Sequence, residues 1–231
     1  EHPNNVYWGD THLHTNLSLD AYASGNRVSA DEAYRFAKGE AVTANNGMKV
    51  LLRRSLDFLV VADHAGSLGV MTDIETSNPR LLNMPSGKQL YEQLQQLQQG
   101  VETSKRQESL LKYLYSSDRE GYGEPLIKEE NYYKSVWEEV VDRADRYNEV
   151  GVFTAFAGYE WTSHGTERVS SRNWGLGGNL HRVVLFKGGS GKADKIRPFS
   201  KFDSEDPADL WQFIEEYENK TGGEVIAIPH N

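Results

Sequence analysis

The chain has 231 residues, enough for one large domain and too few for two comfortable ones with a linker. Its 38% apolar content, with eight Phe, twelve Tyr and five Trp, supports a packed core rather than disorder. A net charge of −9, with no basic run longer than Arg53-Arg54, argues against an extended nucleic-acid surface, and no apolar run reaches the length of a membrane span. The sequence has no cysteine, so a transition-metal site would have to be built from His, Asp and Glu.

In chain order, Val6 to Asp10 reads as a first strand within an extended segment that runs to His14. "SADEAYRFAKGE", residues 29–40, has a Ser N-cap, early acids and a late Lys before Gly39, and reads as a helix. "LDFLVVADH", residues 56–64, is a continuous apolar run ending in polar groups, the profile of a strand buried on both faces. Residues 87–116 look helical, with a break at Gly100 and a Gln-rich, charged character that suits an exposed insertion. Residues 130–148 carry Tyr133, Val136, Trp137, Val140, Val141 and Ala144 at helical spacing, so the helical insertion spans about residues 85–149. "VGVFTAFAGYEW", residues 150–161, and "NLHRVVLF", residues 179–186, read as strands. Residues 206–223 form a helix pattern with Pro207 at its first position and glycines at its exit, followed by a strand in "EVIAIPHN". The alternation predicts an α/β fold with a mostly parallel sheet or barrel.

The chemistry-bearing residues fall where those strands end. "GDTHLHTNLSLD" places His12 and His14 two residues apart, on one face of a strand, with Asp20 after a short loop. Two converging imidazoles can grip zinc, iron or manganese, although a lone His-x-His is equally served by ordinary hydrogen bonds. Asp63 and His64 follow the second apolar strand, Glu160 the third and His230 the last. In parallel α/β folds functional groups gather at the carboxyl ends of strands. His181 starts its strand, yet antiparallel pairing of residues 152–159 with 180–186 would bring it to Glu160. Asp20 should turn back toward His64, and His230 should approach Glu160 and His181. His2 and His164 read as surface residues. Arg168 and Arg172, in the polar loop above the site, are candidates to hold a substrate anion; Arg182 alternates with His181 and is a weaker one. "GGSGK", residues 188–192, reads as a plain turn, since it lacks the spacing of a phosphate loop.

Together "HLHTNLS" with Asp20, "DFLVVADH", "YEW", "LHRVVLF" and "AIPHN" resemble, in order, the motifs of the PHP (polymerase and histidinol phosphatase) superfamily. The opening "YWGDTHLHTNLS" and the helical insertion look most like the PHP-related domain-of-unknown-function family 3604. The resemblance implies a distorted (β/α)7 TIM-like barrel with two or three divalent ions at its carboxyl-end face. It implies that Glu160 bridges two metals, that His12 and His14 serve the first and His181 and His230 the second. Asp20 and His64 would serve a third, with Asp63 a ligand or a carboxylate that orients its neighbours. Such domains usually end in a late Asp-x-His, which does not follow His230, and Asn231 stands where many relatives have proline. The expectation is therefore the front part of a longer protein. A start at Glu1 agrees with a processed chain exported to the periplasm or beyond, or with a simple boundary.

A two- or three-metal centre lowers the pKa of a bridging water from near 16 toward about 7 and clamps phosphoryl oxygens. The expected function is a metal-dependent hydrolase acting on a small phosphorylated substrate, with Glu160, His12 and His14 at the heart of catalysis. The competing readings are hydrolysis of a non-phosphate ester, lactone or amide, and a non-catalytic metal-binding domain. Retention of the carboxylate Glu160 counts against the last.

Overall fold

The computed structural model of the protein describes residues 4–102, 105, 126–163 and 180–230. Seven strands occur among them: β1 (Gly9–Leu13), β2 (Val42–Thr43), β3 (Lys49–Val50), β4 (Phe58–Val61), β5 (Thr154–Trp161), β6 (Arg182–Lys187) and β7 (Glu224–Pro229). The helices are α1 (Leu19–Ala23), α2 (Ala30–Ala37), α3 (Val70–Glu75), α4 (Pro79–Leu82), α5 (Pro85–Gln98), α6 (Glu130–Tyr147) and α7 (Pro207–Thr221). None is long and apolar enough to cross a membrane.

One five-stranded sheet in the order β1-β4-β5-β6-β7 carries the structure, and β2 and β3 form a separate hairpin. β1, β4 and β5 are parallel neighbours, whereas β6 is antiparallel to both β5 and β7. This corrects the expected (β/α)7 barrel. A barrel closes by pairing its first and last strands. Here β1 and β7 lie at opposite ends of an open mixed sheet. Alternating helix and strand patterns report element type but not strand direction, and α7 lies within an antiparallel connection rather than a parallel crossover.

Local signals explain most boundaries. Ser29 and Glu32 form a reciprocal capping box at the start of α2. Asp206 caps α7 by accepting from Ala208 N–H, Pro207 takes the first turn, and Gly222 ends the helix with φ 63°. Gly100 has φ 75° just beyond the end of α5, at the expected break. Two strands begin later than the apolar pattern suggested. Val6, Tyr7 and Trp8 are exposed, and pairing starts at Gly9, where a Cβ would fall on the backbone oxygen and ring of Phe58. Val150 and Val152 are likewise exposed in the turn before Thr154. Apolar residues at strand entries do not by themselves create a partner strand.

Alternation along β5 divides the molecule. Ala155, Ala157, Tyr159 and Trp161 face a large core into which α2, α6 and α7 bury Tyr34, Trp137, Val141, Leu210 and Tyr217. Thus α6 packs its apolar stripe into the core, as the helical spacing of Val136, Trp137, Val140, Val141 and Ala144 predicted. Trp137 is fully buried there, edge-on to Tyr159 at 5.6 Å, and donates from Nε1 to the Ala193 carbonyl at 2.7 Å. The opposite face of the sheet carries a smaller cluster of Val60, Ala62, Val183 and Leu185 with Phe156 and Ile228. Glu160 alternates with Tyr159 and Trp161 and so lies at the upper end of that second face.

Trp137→Ala should cost about 3–5 kcal/mol, since it opens a cavity and leaves the Ala193 carbonyl without its donor. Trp211→Ala, at a position 44% exposed, should stay within roughly 1 kcal/mol. Urea denaturation of both variants checks the assignment; equal losses would contradict it.

Candidate metal centre

The carboxyl ends of β1, β4, β5 and β7 lie at one end of the sheet, and β6 starts there. The β4–β5 pairing continues past the strands: Glu160 N–H donates to Asp63 O at 3.0 Å and Ala65 N–H to Glu160 O at 2.9 Å. The β6–β7 pairing likewise continues, with His230 N–H donating to His181 O at 3.3 Å. Backbone registration therefore delivers Glu160, His64, His181 and His230 to one place. The antiparallel β5–β6 pairing, with Trp161 opposite Arg182, brings His181 beside Glu160 as the spacing predicted.

Glu160 is 1% exposed and is the hub. Its Oε2 lies 2.9 Å from His12 Nε2 and 2.7 Å from His14 Nε2, with His64 Nδ1 at 3.4 Å. Its Oε1 lies 2.7 Å from His181 Nδ1 and 2.6 Å from His230 Nε2. Burial raises the pKa of Glu160, but hydrogen bonds from His14, His181 and His230 and the charge of His64 outweigh it and hold the carboxyl well below its usual range. At His14, burial works against the charged form, yet bonds to Asp20 and Glu160 push its pKa up to about 10. The local field thus favours a cation at this spot.

The donor set fits a metal ion. His12 Nε2 and His14 Nε2 are 3.1 Å apart while both face the same carboxylate oxygen. The two ring nitrogens and the carboxylate oxygen thus converge on one point, as the donor atoms of a metal site would. Two triads have ligand atoms within 4.8 Å of one another: His12, Glu160 and His230, and His14, His64 and Glu160. All donors are imidazole or carboxylate, the set for zinc, manganese or iron.

Asp20 turns back toward His14 and His64. Its Oδ1 is 3.3 Å from His14 Nδ1 and its Oδ2 is 3.5 Å from His64 Nε2, and it sits in the first turn of α1. Despite partial burial, those histidines and the Ser18 hydroxyl hold its pKa far below normal. Asp63 behaves differently from the other residues proposed as ligands. It is buried, on the helix side, and accepts from the Thr15 N–H and, at 2.7 Å, from the Thr15 hydroxyl. Burial raises its pKa, with the Thr15 bonds opposing. Asp63 therefore orients the loop after β1, with its two oxygens taken up by Thr15. Arg168, Arg172 and His164 lie outside the described residues, as does His2.

Three supporting residues escaped the sequence reading. Thr162 Oγ1 pairs with His64 Nδ1 at 2.7 Å. The fully buried Ser18 donates to Asp20 at 2.5 Å and accepts from His64 N–H at 3.1 Å. Thr15 completes the Asp63 clamp. Thr15 and Ser18 lie inside "HTNLS", where small hydroxyl residues between two ligands were the available signal.

Fold and site together define a mixed α/β domain with a histidine–carboxylate cluster at its strand ends. The chain belongs to the family described as proteins of unknown function, DUF3604, whose family model matches residues 1–231. No curated protein and no solved structure matches it.

Asp63→Asn should keep the Thr15 clamp, because an amide can accept from Thr15 N–H and donate to its hydroxyl. Bound metal measured by elemental analysis should then equal that of the unchanged protein. Glu160→Gln removes the shared charge and should lower the metal content more than loss of any one histidine. Full metal in Glu160→Gln, or loss of metal in Asp63→Asn, would reverse these roles.

Proposed function

We propose that this chain is a metal-dependent hydrolase, and that its substrate is a small phosphate ester. The observation that carries the reading is the placement of four imidazole nitrogens within 2.6–2.9 Å of the two oxygens of one buried carboxylate. A buried anion approached by histidines on both oxygens would suit a carboxylate shared between two divalent ions. When bound, such ions make water acidic enough to attack at neutral pH and stabilise charge on phosphoryl oxygens. Glu160 would bridge, His12 and His14 would hold one ion, and His181 and His230 the other. His64 and Asp20 would extend the site on the α1 side. The order of the motifs along the chain, which resembles that of PHP domains, supports the phosphate-ester assignment.

The protein's own groups contribute orientation. Thr162 fixes the His64 ring through Nδ1 and leaves Nε2 facing Asp20. Asp63 and Thr15 hold the turn that follows His14. A second reading, hydrolysis of a carboxylic ester, lactone or amide, is favoured by the net charge of −9, which supplies no long-range attraction for a phosphate dianion.

The test is hydrolysis of an aryl phosphate against the matching aryl carboxylate, after reconstitution with Mn(II), Zn(II) or Fe(II). The expected result is phosphate release that a chelator abolishes and added metal restores. Carboxylate turnover alone selects the second reading. No turnover of either by fully metallated protein contradicts the hydrolase assignment.

A further inference from the structure

Strand β1 contains one residue more than β4 can pair. Gly9 lies opposite Phe58 and Asp10 opposite Leu59, but the next pair is Leu13 with Val61, three steps along β1 against two along β4. Leu59 and Val61 belong to the helix-side core. Simple alternation from Asp10 would send Thr11 and Leu13 to the other face and turn His12 and His14 into the helices. The extra residue reverses this. Leu13 packs against the helix-side core, and His12 and His14 reach Glu160. The bulge is thus the feature that selects the face on which the His-x-His pair works.

A bulge takes a backbone donor out of the regular ladder, and the donor needs another partner. Here the His12 N–H donates to Asp10 Oδ1 at 2.8 Å, a local side-chain bond across two residues. We propose that Asp10 is a positioning residue: its carboxylate pins the β1 bulge, and the bulge delivers His12 and His14 to Glu160. The effect on metal binding rests on the metal-site reading above; the effect on strand register does not. The bond needs an oxygen acceptor on a short side chain, not a charge. Asn can supply it, Ala cannot, and Glu carries the charge one methylene too far.

The test uses the whole chain and its Asp10→Ala, Asp10→Asn and Asp10→Glu variants, each titrated with Co(II) by calorimetry and visible absorption. Asp10→Ala and Asp10→Glu should lose about ten- to a hundredfold in affinity, with an altered Co(II) spectrum. Asp10→Asn should match the unchanged protein in both. Wild-type affinity and spectrum in Asp10→Ala, or an Asn variant as defective as the Glu variant, would overturn the proposal. Should Asp10→Ala fail to fold, the Asn and Glu pair carries the comparison. If the unchanged protein takes up no Co(II), the proposed function fails by itself. The register in a crystal structure of Asp10→Glu then decides: loss of the Leu13–Val61 pairing supports the positioning role, and its retention refutes it.

Discussion

A carboxylate that is 1% exposed is the constraint around which the structure is organised. Burying an ionised Glu without compensation is far more costly than a typical domain can tolerate, and such a group would take up a proton instead. Glu160 stays ionised because imidazoles approach both of its oxygens. The compensation runs in both directions, since the same carboxylate is what favours positive charge at His14. A metal ion taken up here would replace the proton that Glu160 and Asp20 favour on His14. The cluster's donors, imidazole and carboxylate without thiolate, favour a borderline transition ion over calcium.

Sheet topology supplies the convergence. Three parallel strands present their carboxyl ends side by side, and the antiparallel β6 brings His181 in from its start. Among the described residues the helices pack on the face of β5 that carries Tyr159 and Trp161, and the alternate residue Glu160 lies on the other. Small polar residues then fix orientation. Thr15 and Asp63 hold the loop after His14, Ser18 ties Asp20 to the His64 backbone, and Thr162 takes one nitrogen of His64. Each leaves a ring or carboxylate with little freedom, as a binding site needs when its ligands come from separate strands.

Much of this was legible in the sequence. His12, His14, His64, Glu160, His181 and His230 could be grouped because each stands at a strand end, and strand ends are visible as the place where an apolar run turns polar. The capped helices α2 and α7 were legible for a similar reason, because their caps are local chemistry. Sheet closure was not. The direction and order of strands depend on contacts between distant residues, and periodicity does not encode them. The short helices α1, α3 and α4 and the β2–β3 hairpin were also hidden, being too brief to show a period. For Asp63 the sequence left two roles open, ligand or orienting carboxylate; its bonds to Thr15 are those of the second, because neighbouring residues in an extended segment point to opposite faces and it is His64 that faces Glu160. The β1 bulge was invisible as well, since His-x-His looks the same with or without it.

The central claim is that Glu160 bridges two ions between the His12–His14 and His181–His230 pairs. Anomalous diffraction at the metal absorption edge, from crystals of the chain grown with Mn(II) or Zn(II), tests it most directly. The account predicts two peaks, one beside each oxygen of the Glu160 carboxylate, each also contacted by the histidines of that side. Crystals with no peak at Glu160, and with the ring nitrogens still hydrogen-bonded to its oxygens, would contradict it.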